Sequence, residues 1–406
     1  MKIVHTADWH IGKILHRHDL TEDISLFFDW MIQFLLEEKA DLLLVSGDVF
    51  DLANPANKDV ALYYKTLLRL SALRIKVIIT GGNHDSISLL EAPAGLLNTL
   101  DIHVIGGAKE DISEEIIPCY NPDGSLGCVV LAAPFLRDKD LRASLPADQA
   151  YDKTKMTEAG VRYHYEKLVN HCISTYGDKV AIIAMGHLMM KGAVTSDSER
   201  EIHVGNLDGL VADIVPDSID YMALGHIHKP QKVQNHAHIR YSGSPIFLDF
   251  SERNYVKKVI VLNVKGKKDI QIVSSKIPVS RDMLRFSGDL ESVKTQLTNF
   301  KNEKQLCAFI ELDIVEDSFN ILKVQELEEW REKTNSDTYK ILKSRISFST
   351  EGSNTSTNSF IAINKSINEL SPLDIFRQKL DESKIDTEIS TSLTEAYMVL
   401  LEELNH

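Results

Sequence analysis

Short, wholly apolar runs alternate with longer stretches in which apolar residues recur every three or four positions. "KIVHTA" is a strand pattern, and "TEDISLFFDWMIQFLLEEKA" is a helix pattern with Glu22 and Asp23 in its first turn. "DLLLVS" reads as a buried strand and "NKDVALYYKTLLRLSA" as a second helix. "IKVIIT" and "HVIG" follow as strands around the helical "SLLEAPAGLLNTL", which Pro93 interrupts. Next come "GCVVLAAP", a long helical stretch near 154–176, "KVAIIAM" and "IDYMAL". Such alternation predicts an α/β fold whose strands are buried on both faces.

From about residue 236 the pattern shifts to short β-like runs, "HIRYSGSP", "KKVIVLNV" and "DIQIVSS", which complete a first domain over 1–278. "MLRFSG", "DLESVKTQLTNFK", "CAFIELDI", a helix near 319–333 and "YKILKSRISFS" predict a small α+β unit over 279–348. The polar stretch "STEGSNTSTNS" opens a linker, 349–370. Ser371 and Pro372 then suit an N-cap and first helical position, with Leu373, Phe376 and Leu380 on one face. Ile389, Leu393, Tyr397, Leu400 and Leu404 repeat the same spacing. These helices over 371–406 either pack on the preceding unit or cover a partner protein.

Composition narrows the function. The chain has 406 residues and a formal net charge of −14, which argues against a protein that grips nucleic acid by global electrostatics. A polyanionic substrate would need local positive charge, bound metals or a partner. No apolar stretch approaches a membrane span and "MKIVHTADWH" lacks a signal-peptide layout, so a cytoplasmic protein with no membrane contact is expected. Cys119, Cys128, Cys172 and Cys307 form no CxxC pair, so neither a zinc-thiolate site nor a disulfide framework is expected.

The chemistry sits directly after the apolar strands. "ADWH", "SGDVFD", "TGGNHD", "MGHL" and "LGHIH" follow five of them and deliver Asp8, His10, Asp48, Asn83, His84, His187, His226 and His228. The carboxyl ends of strands in α/β sheets share one edge, where ligands bind. Carboxylate, carboxamide and imidazole donors without thiolate suit Mn²⁺, Fe²⁺ or Zn²⁺. Strand alternation would point His226 and His228 the same way, into one metal site, across two, or simply at a strand end. A second pair, His236 and His238 in "NHAHIRY", follows neither glycine nor apolar strand and reads as surface or hairpin residues.

These spacings resemble the calcineurin-like metallophosphoesterase superfamily, whose blocks are Asp-x-His, Gly-Asp, Gly-Asn-His-Asp/Glu, Gly-His and Gly-His-x-His. Within it, "IVHTADWHIGK", "VSGDVFD", "GNHDS", "ALGHIHKPQ", "YSGSPIFLDF" and "LSPLDIFRQKL" look like the nuclease subunits of bacterial SbcCD complexes, relatives of the meiotic-recombination-eleven repair nuclease. The resemblance implies a two-sheet sandwich flanked by helices, a small α+β capping domain that positions DNA, and C-terminal helices. It assigns Asp8, His10, Asp48 and His228 to one metal and Asp48, Asn83, His187 and His226 to the other, usually both Mn²⁺. Asp48 bridges, and His84 faces the phosphate as a catalytic residue.

The implied activity is hydrolysis of DNA phosphodiesters, as a double-strand exonuclease and a single-strand or hairpin endonuclease, in repair, recombination and replication. It further implies docking of 371–406 on the SMC-like ATPase SbcC, association with the nucleoid, and a homodimer through the nuclease domain. Candidate dimer helices are "ALYYKTLLRL" and "LLEAPAGLLNTL". Asp51 stands where archaeal and eukaryotic relatives carry histidine, and is expected to orient His84 as a catalytic auxiliary. "ERNYVKK" and "KGKK" are the basic clusters nearest to a DNA-contacting role. Other readings are a phosphomonoesterase or cyclic-nucleotide phosphodiesterase, and a non-catalytic scaffold. The extra units and the lack of an Arg-Gly after the phosphatase-type aspartate oppose the first, and the complete donor set opposes the second.

Overall fold

The structure, a computed structural model, describes residues 1–143, 153–199, 209–317, 321–334 and 336–348, together with 393, 394 and 397. Apart from those last three positions, the expected linker over 349–370 and helices over 371–406 lie outside the described residues.

The first half of the chain follows the apolar pattern closely. It runs β1 (Lys2–Thr6), a small pair β2 (Ile14–Leu15) and β3 (His18–Asp19), α1 (Thr21–Glu38), β4 (Leu42–Ser46), α2 (Asn57–Ala72) and β5 (Lys76–Thr80). Pro93 separates α3 (Ile87–Glu91) from α4 (Ala94–Asn98), and β6 (Ile102–Ile105) follows. Next come β7 (Ile116–Tyr120), β8 (Leu126–Ala132), α5 (Asp138–Ala143), α6 (Lys153–Tyr176), β9 (Ile182–His187), β10 (Tyr221–Gly225), β11 (Gln231–Val233), β12 (His236–Tyr241), β13 (Lys258–Gly266) and β14 (Asp269–Lys276).

Two six-stranded sheets result, ordered β14-β13-β1-β4-β5-β6 and β11-β12-β10-β9-β8-β7. In the first, β1, β4, β5 and β6 are parallel; in the second, β8, β9, β10 and β12 are. Alternation along each strand builds the layers. Leu43 and Val45 of β4 pack with Phe28 and Met31 of α1, while Leu42 and Leu44 face the second sheet. Ile183 and Met185 of β9 meet them there, and Ile182 and Ala184 turn outward onto Tyr165, Leu168 and Cys172 of α6. The central strands of both sheets are covered on both faces, which is why they read as unbroken apolar runs. Strand β7, which the apolar pattern does not announce, contains Pro118 and lies at a sheet edge, where a missing N–H is tolerated. Its Cys119 stands directly opposite Cys128 of β8, both as free thiols.

The remaining elements are β15 (Met283–Gly288), α7 (Leu290–Asn299), β16 (Ala308–Glu316), α8 (Ile321–Thr334) and β17 (Tyr339–Phe348). Their three strands are all parallel, an α/β arrangement where the sequence reading expects α+β. Each helix returns the chain to the same end of the sheet, which a parallel neighbour requires. Leu290, Val293 and Leu297 of α7 cover Ile310, Leu312 and Ile314 of β16. A buried fork ties this unit to the sandwich: Arg281 Nε and a terminal nitrogen each donate to the Asp23 carboxylate of α1 at 2.9 Å, and the guanidinium stacks 3.9 Å from the centre of the Phe309 ring. Burial raises the Asp23 pKa while Arg281 opposes it.

Removing the cation alone leaves a buried carboxylate unpaired. Arg281→Met is expected to cost about 3 kcal/mol in urea unfolding, and the double variant with Asp23→Asn to recover most of it.

Candidate metal centre

The C-terminal ends of β1, β4 and β5 in one sheet and of β9 and β10 in the other converge on one buried pocket. The backbone there is unusual. Asp8, His10, Asp48 and His226 hold φ of 53°, 46°, 48° and 97°, in the left-handed region that side chains disfavour. Bonds between the loops hold them: Asp8 N donates to Gly47 O at 3.1 Å and His10 N to Asp48 O at 3.0 Å. His84 N and His226 N donate to the Asp48 and Asp8 carboxylates at 3.0 and 2.8 Å. At Gly225 a Cβ would fall 1.8 Å from Ser46 O, so only glycine lets β10 pass β4 this closely.

That geometry changes the reading of His226 and His228. Strand β10 ends at Gly225, so the turn, not pleat alternation, sets both side chains. The two rings diverge to different neighbours, His226 beside His187 and His228 beside His10, with ring centres 5.3 and 4.9 Å apart.

Four imidazoles follow one rule, Nδ1 to an outer acceptor or carboxylate and Nε2 inward. His187 Nδ1 donates to Ser46 O at 3.1 Å and His84 Nδ1 to Asp51 O at 2.7 Å. His10 Nδ1 lies 3.2 Å from the Asp51 carboxylate, without hydrogen-bond alignment, and His228 Nδ1 lies 3.0 Å from that of Glu252. Inside the pocket, Asp48 Oδ2 is ringed by Nε2 of His187, His10 and His84 at 3.3, 3.6 and 3.9 Å. His228 Nε2 faces His10 Nε2 at 3.1 Å, and Asn83 Oδ1 faces His187 Nε2 at 2.9 Å.

The electrostatics are those of a cation site. Burial, reinforced by Asp48, pushes the Asp8 carboxyl up to about 7, and its Oδ2 is buried with no hydrogen-bond partner. Burial also opposes charge on Asp48, but the surrounding histidines, His187 first, hold it well below the usual carboxylate range. Burial lowers the His187 pKa, but Asp48, Asp8 and the Ser46 carbonyl together raise it to about 9. Burial and then His187 drive His226 far down. An orphaned carboxylate oxygen amid inward lone pairs fits a hard or borderline divalent ion. Donor atoms of Asp8, His10 and His228, of His10, Asp48 and His84, and of Asp48, His187 and His226 form groups lying within 4.8 Å, and Asp48 is shared between two of them.

The pocket thus brings together all eight strand-end residues, and Asp51 lies beside them. The Asp51 backbone carbonyl orients the His84 ring, and its carboxylate lies 3.2 Å from both His10 Nδ1 and Lys13 Nζ. Despite burial, those two neighbours bring Asp51 down to about 2. Within "ERNYVKK", one of the two basic clusters nearest to a DNA-contacting role, Glu252 and Lys257 are buried. His236 and His238 lie on β12, partly exposed and outside the pocket. Sequence reasoning missed Asp85, whose carboxylate accepts from Val49 N, Phe50 N and Gly82 N at 3.1, 3.0 and 2.8 Å and so clamps the loops after β4 and β5. Its place at the end of "GNHD" was the available signal.

Residues 1–230 match the calcineurin-like phosphoesterase family. A protein from Escherichia coli K12, described as the SbcD component of the nuclease SbcCD, is 32% identical over 306 residues, 75% of each chain. Proteins described in the same way from Rhodobacter capsulatus and Bacillus subtilis are 35% and 27% identical, over 66% and 80% of this chain and 67% and 82% of theirs. The chain belongs to the calcineurin-like phosphoesterase family, within its SbcD group. The phosphoesterase sandwich expected from the motifs is therefore the fold, and a centre for divalent metals stands at its sheet ends.

Because a backbone carbonyl holds His84, Asp51→Asn is expected to leave that ring unmoved in a crystal structure. The same substitution weakens the charge beside His10, so Mn²⁺ affinity by calorimetry should fall about 10-fold. A displaced His84 would restore the carboxylate role.

Proposed function

We propose that this chain is the nuclease subunit of an SbcCD-type complex, hydrolysing DNA phosphodiesters at two divalent ions. One observation carries the reading: Asp8 leaves Oδ2 without a partner in a pocket where Asp48 and the inward nitrogens of His10, His187 and His228 meet. Asp8, His10, Asp48 and His228 would hold one ion; Asp48, Asn83, His187 and His226 would hold the other. When bound, such ions acidify a water and offset charge on the phosphate. They do so locally, which suits a chain of net charge −14.

The protein's own part is orientation. Asp48 is positioned to bridge, because His84 N fixes one of its oxygens and leaves the other to the imidazoles. His84 keeps Nδ1 on the Asp51 carbonyl and turns Nε2 into the pocket, where its protonated form can donate to a phosphate or leaving oxygen. The left-handed turns at Asp8, His10 and Asp48 hold the donors before substrate arrives, which limits reorganisation during reaction.

Several finer assignments belong to the same proposal. The ions are Mn²⁺. Residues 1–278 form the nuclease domain, 279–348 position DNA, and 371–406, after a linker over 349–370, dock on the SMC-like ATPase SbcC. Two copies pair through the nuclease domain, and exposed Leu68 on α2 and Leu96 on α4 supply apolar contacts for that face. The enzyme acts in the cytoplasm, at the nucleoid; among the described residues no helix is long and apolar enough to cross a membrane.

Linear duplex and hairpin DNA assayed with Mn²⁺, with and without the ATPase partner, should be cut by the wild type. Asp48→Ala and His84→Gln should each lower the rate at least 100-fold. Turnover of small phosphate esters without any cleavage of DNA would instead establish a phosphomonoesterase.

A further inference from the structure

The loop after β12 supplies none of the residues assigned above as metal ligands, yet it encloses two charges. Glu252 and Lys257 are both buried, and Lys257 Nζ meets Glu252 Oε2. Desolvating an ion pair is expensive unless its remaining polar atoms are satisfied. Here they are. Glu252 Oε2 also accepts from Ser244 Oγ and Leu248 N, both at 3.2 Å, and Lys257 Nζ also donates to Ser244 Oγ at 2.7 Å. The other oxygen, Oε1, leaves this nest and lies 3.0 Å from His228 Nδ1; Ser198 Oγ donates to it at 2.7 Å and itself lies 2.7 Å from the same Nδ1, so the carboxylate and the hydroxyl it orients face His228 together.

We propose that Glu252, fixed by Lys257, is a positioning residue of the metal centre. It accepts the Nδ1 proton of His228 and thereby fixes the tautomer whose Nε2 lone pair faces inward beside His10 Nε2, 3.1 Å away. This rests on the reading of Asp8, His10, Asp48 and His228 as ligands of one ion. A carboxylate partner makes an imidazole a stronger donor than a carbonyl partner does. His187 leans on a carbonyl, whereas His228 leans on Glu252, so the pair strengthens one ion site selectively. Lys257 supplies the compensating charge that lets a carboxylate occupy this depth. Removing both charges together spares the fold an unpaired ion.

Two measurements on the full-length chain test the proposal. In metal-free wild type labelled with ¹⁵N-histidine, His228 should appear by NMR as the Nδ1–H tautomer; an Nε2–H tautomer overturns the proposal. In the double variant Glu252→Gln, Lys257→Met, calorimetric titration with Mn²⁺ should show one binding step weakened about 10-fold and the other unchanged. Two unchanged steps in a variant folded by circular dichroism overturn it. If the variant does not fold, the wild-type spectrum decides. If wild type binds no Mn²⁺, the two-ion reading fails while the spectrum still reports on Glu252.

Discussion

Four histidines in this protein carry their chemistry through where one proton sits. An imidazole offers a lone pair at only one nitrogen, and the other must find an acceptor. His187 uses the carbonyl of Ser46 at the end of β4 and His84 that of Asp51 in the loop after it, while His10 and His228 lie against the carboxylates of Asp51 and Glu252. The acceptors therefore decide which nitrogens reach Asp48 and Asp8. Loop geometry decides where the acceptors are, and the left-handed turns at Asp8, His10, Asp48 and His226 set that geometry. Strain at these four residues is tolerable because the loops bind one another, with Asp85 alone gathering three backbone N–H groups.

Much of this was legible in the sequence because the central strands of both sheets are covered on both faces. A strand such as Leu42–Ser46 then has no polar face to blur it, and the residues after it stand out by contrast. The parts that were not legible share a different cause. A sequence names side chains but not which atom of a residue makes a contact, so it could suggest that Asp51 orients His84 but not that the backbone carbonyl makes the bond. Nothing in the sequence marks Glu252 and Lys257 as buried, because charged side chains are usually exposed; only tertiary structure pairs them in the interior. His226 and His228 were expected from strand alternation, whereas the chain leaves the strand before it reaches them. Pro118 similarly concealed β7, an edge strand that its neighbours rather than its own propensity define.

The small parallel unit joins the sandwich through a contact of the opposite character. Arg281 reaches across to Asp23 with a two-pronged bond and stacks on Phe309, so direction as well as charge is specified. Met283 and Phe309 enter the core beneath the first sheet, so the joint combines apolar burial with one oriented ion pair. The short turn that carries Glu252 packs against β15 of the same unit. Its placement and that of His228 are therefore mechanically related.

The centre also lies across a seam. Asp8, His10, Asp48, Asn83 and His84 follow strands of one sheet, while His187, His226 and His228 end or follow strands of the other. An ion taking donors from both sides acts as a rivet, and its binding free energy becomes part of what keeps the two sheets in register. Metal content would then be written into the melting temperature as well as the turnover rate. A chelator would loosen the sandwich from its catalytic end, leaving the apolar layer between the sheets to hold the halves together.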